Sequence, residues 1–230
     1  MKITSIALAA LLITATSRAQ KPSDRLLTPD NHALVLIDFQ SQMAFATTSI
    51  PNVELRSNVA LVAGGSKIFN VPTVITTVGR SRTGPVFEEI TQFYPEAVTN
   101  AINRTSMNAW EDAGAYKAIT GKGKKKLVFA GLWTEVCIVD PVLSAIADGY
   151  DVYFIADACG GVSTEAHTRA VERMIQAGAQ PMTAIQYVLE LQRDWSRTST
   201  SGAVTALMEK YGGVYGTGLI YENMLLNSKQ

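Results

Sequence analysis

The chain has 230 residues, 47% hydrophobic and 17% charged, with 20 basic and 20 acidic side chains. That is the make-up of one globular domain with a full core. A formal charge of zero gives no electrostatic reason to expect nucleic acid or an anionic membrane as a partner.

The N-terminus differs in kind from the rest. Residues 1–20, "MKITSIALAALLITATSRAQ", place Lys2 before a mostly apolar stretch from Ile6 to Ala15, and Ser17-Arg18-Ala19 then offers a cleavage site. This pattern predicts a secretory signal peptide over 1–19, its apolar part too short to span a bilayer. The mature domain is then 20–230, exported to the periplasm or secreted, with no membrane association after the signal is removed. Export exposes the two cysteines, Cys137 and Cys159, to an oxidising compartment, where one bridge between them is possible but not required.

Five apolar, β-branched runs follow: "ALVLIDF" (33–39), "VPTVITTV" (71–78), "KLVFAG" (126–131), "DVYFIAD" (151–157) and "PMTAIQYV" (181–188). They are continuous rather than alternating, as strands buried on both faces are. Between them, 53–70 carries apolar residues at 55, 59, 62 and 68, and 165–179 has Ala166, Ala170, Met174 and Ala177, both with helical spacing. A last helix is expected over 201–213, ending at glycines, and "GKGKKK" (121–126) reads as an exposed loop. Strand alternating with helix predicts an α/β, single-domain three-layer sandwich, a mostly parallel sheet with helices on both faces.

Ligands in such sheets bind beyond the carboxyl ends of the strands. Asp38, Cys137 and Asp157 all fall at that edge. Cys137 is open to three readings: packing, half of a disulfide, or a nucleophile. Pro141 fits only the first turn of a helix, so a helix starts close to Cys137, and its free N–H groups would favour a thiolate and a developing oxyanion. Asp38, at the end of an apolar strand, is either a base whose pKa burial raises or an N-cap for the next segment. His32 lies at the opposite edge, and His167, in the first turn of a helix, reads as solvent-exposed. Asp157 is expected to organise the loop "DACGG".

Three segments carry a family likeness: "LVLIDFQSQM" (34–43), "GLWTEVCI" (131–138) and "DGYDVYFIADACGG" (148–161). Over about Asn31 to Val188 the chain resembles the isochorismatase-like cysteine hydrolases, in particular their metal-free, oligomeric subgroup of uncertain substrate. The resemblance implies a six-stranded parallel sheet and an Asp-Lys-Cys triad. It assigns Cys137 as nucleophile and Asp38 as base. In "AINRTSMNAWED" (101–112) it puts Arg104 where the family has lysine, keeping the charge but not the easily lost proton. It also implies a cis peptide at Trp133–Thr134 that turns the Thr134 and Cys137 amides toward an oxyanion. Gln40, Phe45, Asn108 and Trp110 become candidates for lining a small-molecule substrate site. Nicotinamide-hydrolysing members hold zinc with paired histidines, which this chain lacks, so no metal and no cofactor are expected. The subgroup implies a homo-oligomer, possibly an octamer.

The leading expectation is an exported hydrolase that cleaves an amide-type C–N bond through a Cys137 thioester. Two alternatives stand beside it: a redox or structural oligomer with Cys137 and Cys159 paired, and a small-molecule binding protein on the same scaffold.

Overall fold

The structure, a computed structural model, describes residues 22–227, so the predicted signal peptide lies outside the described residues. The first half of the chain runs β1 (His32–Ile37), α1 (Ser41–Phe45), α2 (Asn52–Ile68), β2 (Thr73–Val78), α3 (Arg80–Thr83), α4 (Glu88–Thr91), α5 (Ala97–Asn100) and β3 (Ile102–Arg104). The second runs α6 (Ala113–Thr120), β4 (Lys126–Leu132), α7 (Val139–Ala147), β5 (Asp151–Gly160), α8 (Thr164–Gln176), β6 (Gln180–Met182), α9 (Ala184–Gln192), α10 (Thr198–Tyr211) and α11 (Gly213–Asn227).

The strands form one sheet in the order β3-β2-β1-β4-β5-β6, with every neighbouring pair parallel. β1 and β4 are buried at every position, which is why their sequences are unbroken apolar runs. Helices α2, α9 and α10 pack together as one layer, and α7 packs with α8 and with the 3₁₀ turn Ala109–Glu111 as another.

Three expectations need correction. The run 181–188 is mostly helix: β6 ends at Met182, Thr183 Oγ1 accepts from Gln186 N at 3.2 Å, and α9 begins. Its Ala184, Tyr187, Val188 and Leu191 share one buried face, a helical spacing that a short apolar run does not reveal. The sixth strand is instead β3, three residues at the sheet edge paired with Thr76–Val78. The C-terminal segment is two helices rather than one, because α11 continues after the break at Gly212 and Gly213, where Gly213 has φ +55°. The lysine cluster is also not wholly a loop. Lys126 opens β4 and is buried, its Nζ donating to the carbonyls of Asp24 and Leu26.

Candidate active site

Strand order reverses between β1 and β4: β2 and β3 lie to one side, β5 and β6 to the other. At such a switch point the connections leave in opposite directions and open a crevice at the carboxyl ends. Asp38 follows β1 and Cys137 follows β4, so both stand at this point. Gly131, opposite Ile37 in the register, allows the two strand ends to close up. Any Cβ there would strike the Ile37 carbonyl and come within 2.8 Å of Ile138 Cδ1.

Asp38 has a left-handed backbone, φ +56°, a conformation that costs an ordinary residue roughly 1–2 kcal/mol. Its N–H still donates to Thr76 O at 3.1 Å, and its carbonyl accepts from Gln40 N at 2.8 Å. The carboxylate is directed inward. Oδ2 accepts from Arg104 Nη2 at 2.6 Å and Oδ1 from Thr76 Oγ1 at 3.4 Å. Asp38 therefore caps nothing: α1 has Gln40 at its N-cap position, without a side-chain cap bond.

Arg104 closes β3, two strands away from β1, and its long side chain reaches past the end of β2 to Asp38. Its Nη1 donates to Ser106 O. It is a buried strand residue, not a surface loop residue. The Cys137 thiol lies close enough to Asp38 and Arg104 for both charges to act on its proton. The exposures of Asp38, Arg104 and Cys137 are 0%, 2% and 4%, so the cluster is screened from water.

That burial sets the proton balance. It raises the Asp38 pKa, with the Arg104 charge opposing it. It pushes the Cys137 thiol up to about 12, helped by the adjacent Asp38 charge and opposed by Arg104. The resting sulfur is thus a neutral thiol. The half-charge of a helix terminus does not outweigh desolvation here, and a base must remove the proton during attack.

The turn that carries Cys137 departs from expectation in one detail. The cis peptide is Leu132–Trp133, one residue earlier than Trp133–Thr134. Leu132 still pairs with Gly160, so the cis bond marks where the chain leaves the sheet. Residues Thr134–Ile138 then form a π-helical turn, in which Ile138 N donates to Trp133 O at 3.4 Å. α7 starts at Val139 with Pro141 in its first turn, which puts Cys137 immediately ahead of the helix. The Trp133 indole N–H donates to Met43 O at 3.0 Å. Thr134 Oγ1 and His167 Nδ1 lie 2.8 Å apart, so His167 is half-buried and bonded rather than solvent-exposed.

The other candidates fall into different places. Gln40 joins the strand ends: its Oε1 accepts from Val78 N at 2.9 Å, and its Nε2 donates to Gly84 O at 2.8 Å. Phe45 is 82% exposed and borders a groove of about 690 Å³ with Asn52, Arg56, Val86 and Phe87. Asn108 caps the 3₁₀ turn by accepting from Trp110 N at 3.0 Å, and donates to Ser144 Oγ at 3.1 Å. Trp110 is buried edge-on to Tyr116 and Tyr150, with its indole N–H on Asp148 Oδ2 at 2.9 Å. Asp157 accepts from Ala184 N at 2.8 Å, so it fixes the start of α9; "DACGG" is largely strand β5, not a loop. His32, at the amino edge, is buried between Thr28 O at 2.7 Å and Tyr187 Oη at 3.0 Å.

Both thiols are free. Cys159, opposite Gly131, is fully buried, and burial pushes it up to about 12. No group of three or more His, Cys, Asp or Glu side chains suited to a metal exists among the described residues. Sequence reasoning missed Thr76 and Ser106, the polar supports of Asp38 and Arg104, and no local pattern marks either one. The Thr134–His167 contact was equally invisible, because its partners meet only in the tertiary structure.

Residues 32–186 match the family described as the Isochorismatase domain. The chain belongs to the isochorismatase family of hydrolases. It is 36% identical over 187 residues to the "Probable hydrolase YcaC" of Escherichia coli (strain K12), covering 80% of this chain and 88% of that protein. The crystal structure of the Escherichia coli YcaC product, described as an octameric hydrolase of unknown specificity, matches with TM-score 0.81 and 33% identity. The match covers 90% of this chain and all of that one. YcaC from Pseudomonas aeruginosa, solved with hexane-2,5-diol and covalent acrylamide, matches with TM-score 0.79 and 28% identity over 91% of this chain and all of that one.

Proposed function

We propose that this family member is an exported cysteine hydrolase that cleaves an amide-type C–N bond of a small molecule through a Cys137 thioester. The observation that carries the reading is the buried Asp38–Arg104–Cys137 cluster at the switch point, with Arg104 Nη2 2.6 Å from the carboxylate. Asp38, held ionised by Arg104, takes the thiol proton as sulfur adds to the carbonyl carbon. The amides of Thr134 and Cys137 receive the oxyanion. The C–N bond then breaks, and the proton on Asp38 passes to the leaving nitrogen. Water next gives a proton to Asp38 as its oxygen adds to the thioester. The acid leaves, and the sulfur recovers its proton from Asp38.

Arginine serves this scheme because the cation is required only as a fixed charge beside Asp38. The covalent acrylamide in the Pseudomonas aeruginosa relative supports a reactive nucleophile, since acrylamide adds to thiols. The test is a panel of small amides followed by intact-mass detection of acylated Cys137. Cys137→Ser and Asp38→Asn are each expected to abolish turnover while the fold survives. Full activity in either variant refutes the scheme.

The active form in this reading is a homo-oligomer. α11 exposes Val214 at 92%, Tyr221 at 64% and Met224 at 62%, an apolar surface suited to a second copy of the chain. The octameric relative supports the same assembly. Light scattering after gel filtration checks it, and a strictly monomeric chain would refute it. Export rests on the residues before Gln20, and N-terminal sequencing of material secreted by a heterologous host tests it.

A further inference from the structure

Two side-chain contacts join the turn bearing Thr134 and Cys137 to α8 and the segment just before it. Thr134 Oγ1 meets His167 Nδ1 at 2.8 Å, and Glu135 Oε1 accepts from Val162 N at 2.9 Å. Thr134 is fully buried, and its hydroxyl has no hydrogen-bond partner other than His167 among the described residues. The packing is close at Gly161. A Cβ there would meet Glu135 Oε2 at 2.5 Å and His167 Cβ at 3.1 Å. Burial favours the uncharged imidazole, with Glu135 opposing. No step of the proposed reaction uses His167, yet it is anchored on α8, a regular helix begun by a Ser163 cap to Ala166 N at 3.1 Å.

We propose that His167 is a positioning residue, which holds Thr134 through this hydrogen bond and so fixes the turn whose amides receive the oxyanion. The proposal rests on the hydrolase reading above. An oxyanion site works only when its donors are already in place, because movement during the reaction forfeits the stabilisation. The turn is π-helical: Val136 N and Ile138 N donate to Trp133 O, and Val139 N to Thr134 O. The Thr134 hydroxyl is the point where a rigid neighbouring helix grips it.

Two probes separate positioning from general damage. p-Nitrophenyl acetate acylates a thiol through a tetrahedral oxyanion, whereas iodoacetamide alkylates it by displacement at CH₂ and forms none. His167→Leu is expected to lower kcat for p-nitrophenyl acetate about ten-fold, less than the ~10²–10³-fold attached to losing an entire donor. KM and the alkylation rate of Cys137 should stay within about two-fold, since neither depends on oxyanion donors. His167→Asn, whose amide can reach the same hydroxyl, should recover most of the loss. Thr134→Val should mimic His167→Leu, and the double variant should be no slower than either single one.

Equal slowing of both probes, no slowing of either, or failure of His167→Asn to do better than His167→Leu would each overturn the proposal. So would a native chain that is alkylated at Cys137 but takes no acetyl group. Undiminished ester hydrolysis by Cys137→Ser is a separate result: it removes the hydrolase reading, and the positioning role with it.

Discussion

Replacing Arg104 by methionine strands Asp38 in a fully buried site. The side chains of this pair are fully buried, and removing one partner of such a pair costs about 3–5 kcal/mol. An independent route gives the same size. Asp38 can avoid isolation by binding a proton, and its ordinary pKa is 3.8. Holding that proton at pH 7 costs about 1.36 kcal/mol for each of roughly 3.2 units, or about 4 kcal/mol. At pH 5 the same cost is only about 1.6 kcal/mol. The sign follows from linkage: the folded variant binds a proton that the unfolded chain releases, so the variant regains stability as the pH falls. Urea unfolding of native protein and Arg104→Met at pH 5, 6 and 7 measures this directly. The expected deficit is about 4 kcal/mol at pH 7, shrinking toward acid, and adding Asp38→Asn should remove the pH dependence and most of the loss. A deficit under about 1 kcal/mol, or one that does not change with pH, would refute the description of Asp38 as a carboxylate kept charged by Arg104.

Other outcomes follow from the same structure. Arg104→Lys keeps a cation near Asp38 but cannot span both Asp38 Oδ2 and Ser106 O with a planar fork, so urea unfolding should show a loss of about 1–2 kcal/mol, with some turnover retained. His32 is held neutral, its pKa lowered from 6.5 to about 4 by burial. Its unfolded form takes up a proton first, so stability present above pH 6.5 is lost as the pH falls to about 4, by at most about 3 kcal/mol. Subtracting the acid unfolding profile of His32→Gln from that of native protein isolates this step. Because the Cys137 thiol is pushed up to about 12, its alkylation by iodoacetamide should keep accelerating above pH 9, and Cys159 should stay unlabelled until the chain unfolds. Gly131→Ala should lower stability by about 2 kcal/mol or more in thermal melts, since its methyl has no route past the Ile37 carbonyl.

The architecture was legible in the sequence wherever the pattern is local and repeated. Unbroken apolar runs at 33–39, 71–78, 126–131 and 151–157 mark strands covered on both faces; the two central ones, β1 and β4, are buried at every position, and β2 and β5 at most of their inner ones. Asp38 and Cys137 could be placed at one edge, because a strand's carboxyl end is set by where its run stops. Even the helix starting just after Cys137 follows from Pro141, through the missing N–H.

Long-range geometry decided the rest. β3 is three residues long and gains its identity only by pairing with β2, so no run announces it, yet it carries Arg104. Whether Asp38 caps a helix or meets a cation depends on a left-handed φ and on a side chain two strands away. The strand order, and hence the switch point at which Asp38 and Cys137 meet, is a property of how crossovers stack, which composition does not encode. The protonation of Cys137 is likewise collective. A helix terminus alone would lower its pKa, and only the packed surroundings, by excluding water, turn the balance toward a neutral thiol that needs Asp38 to act.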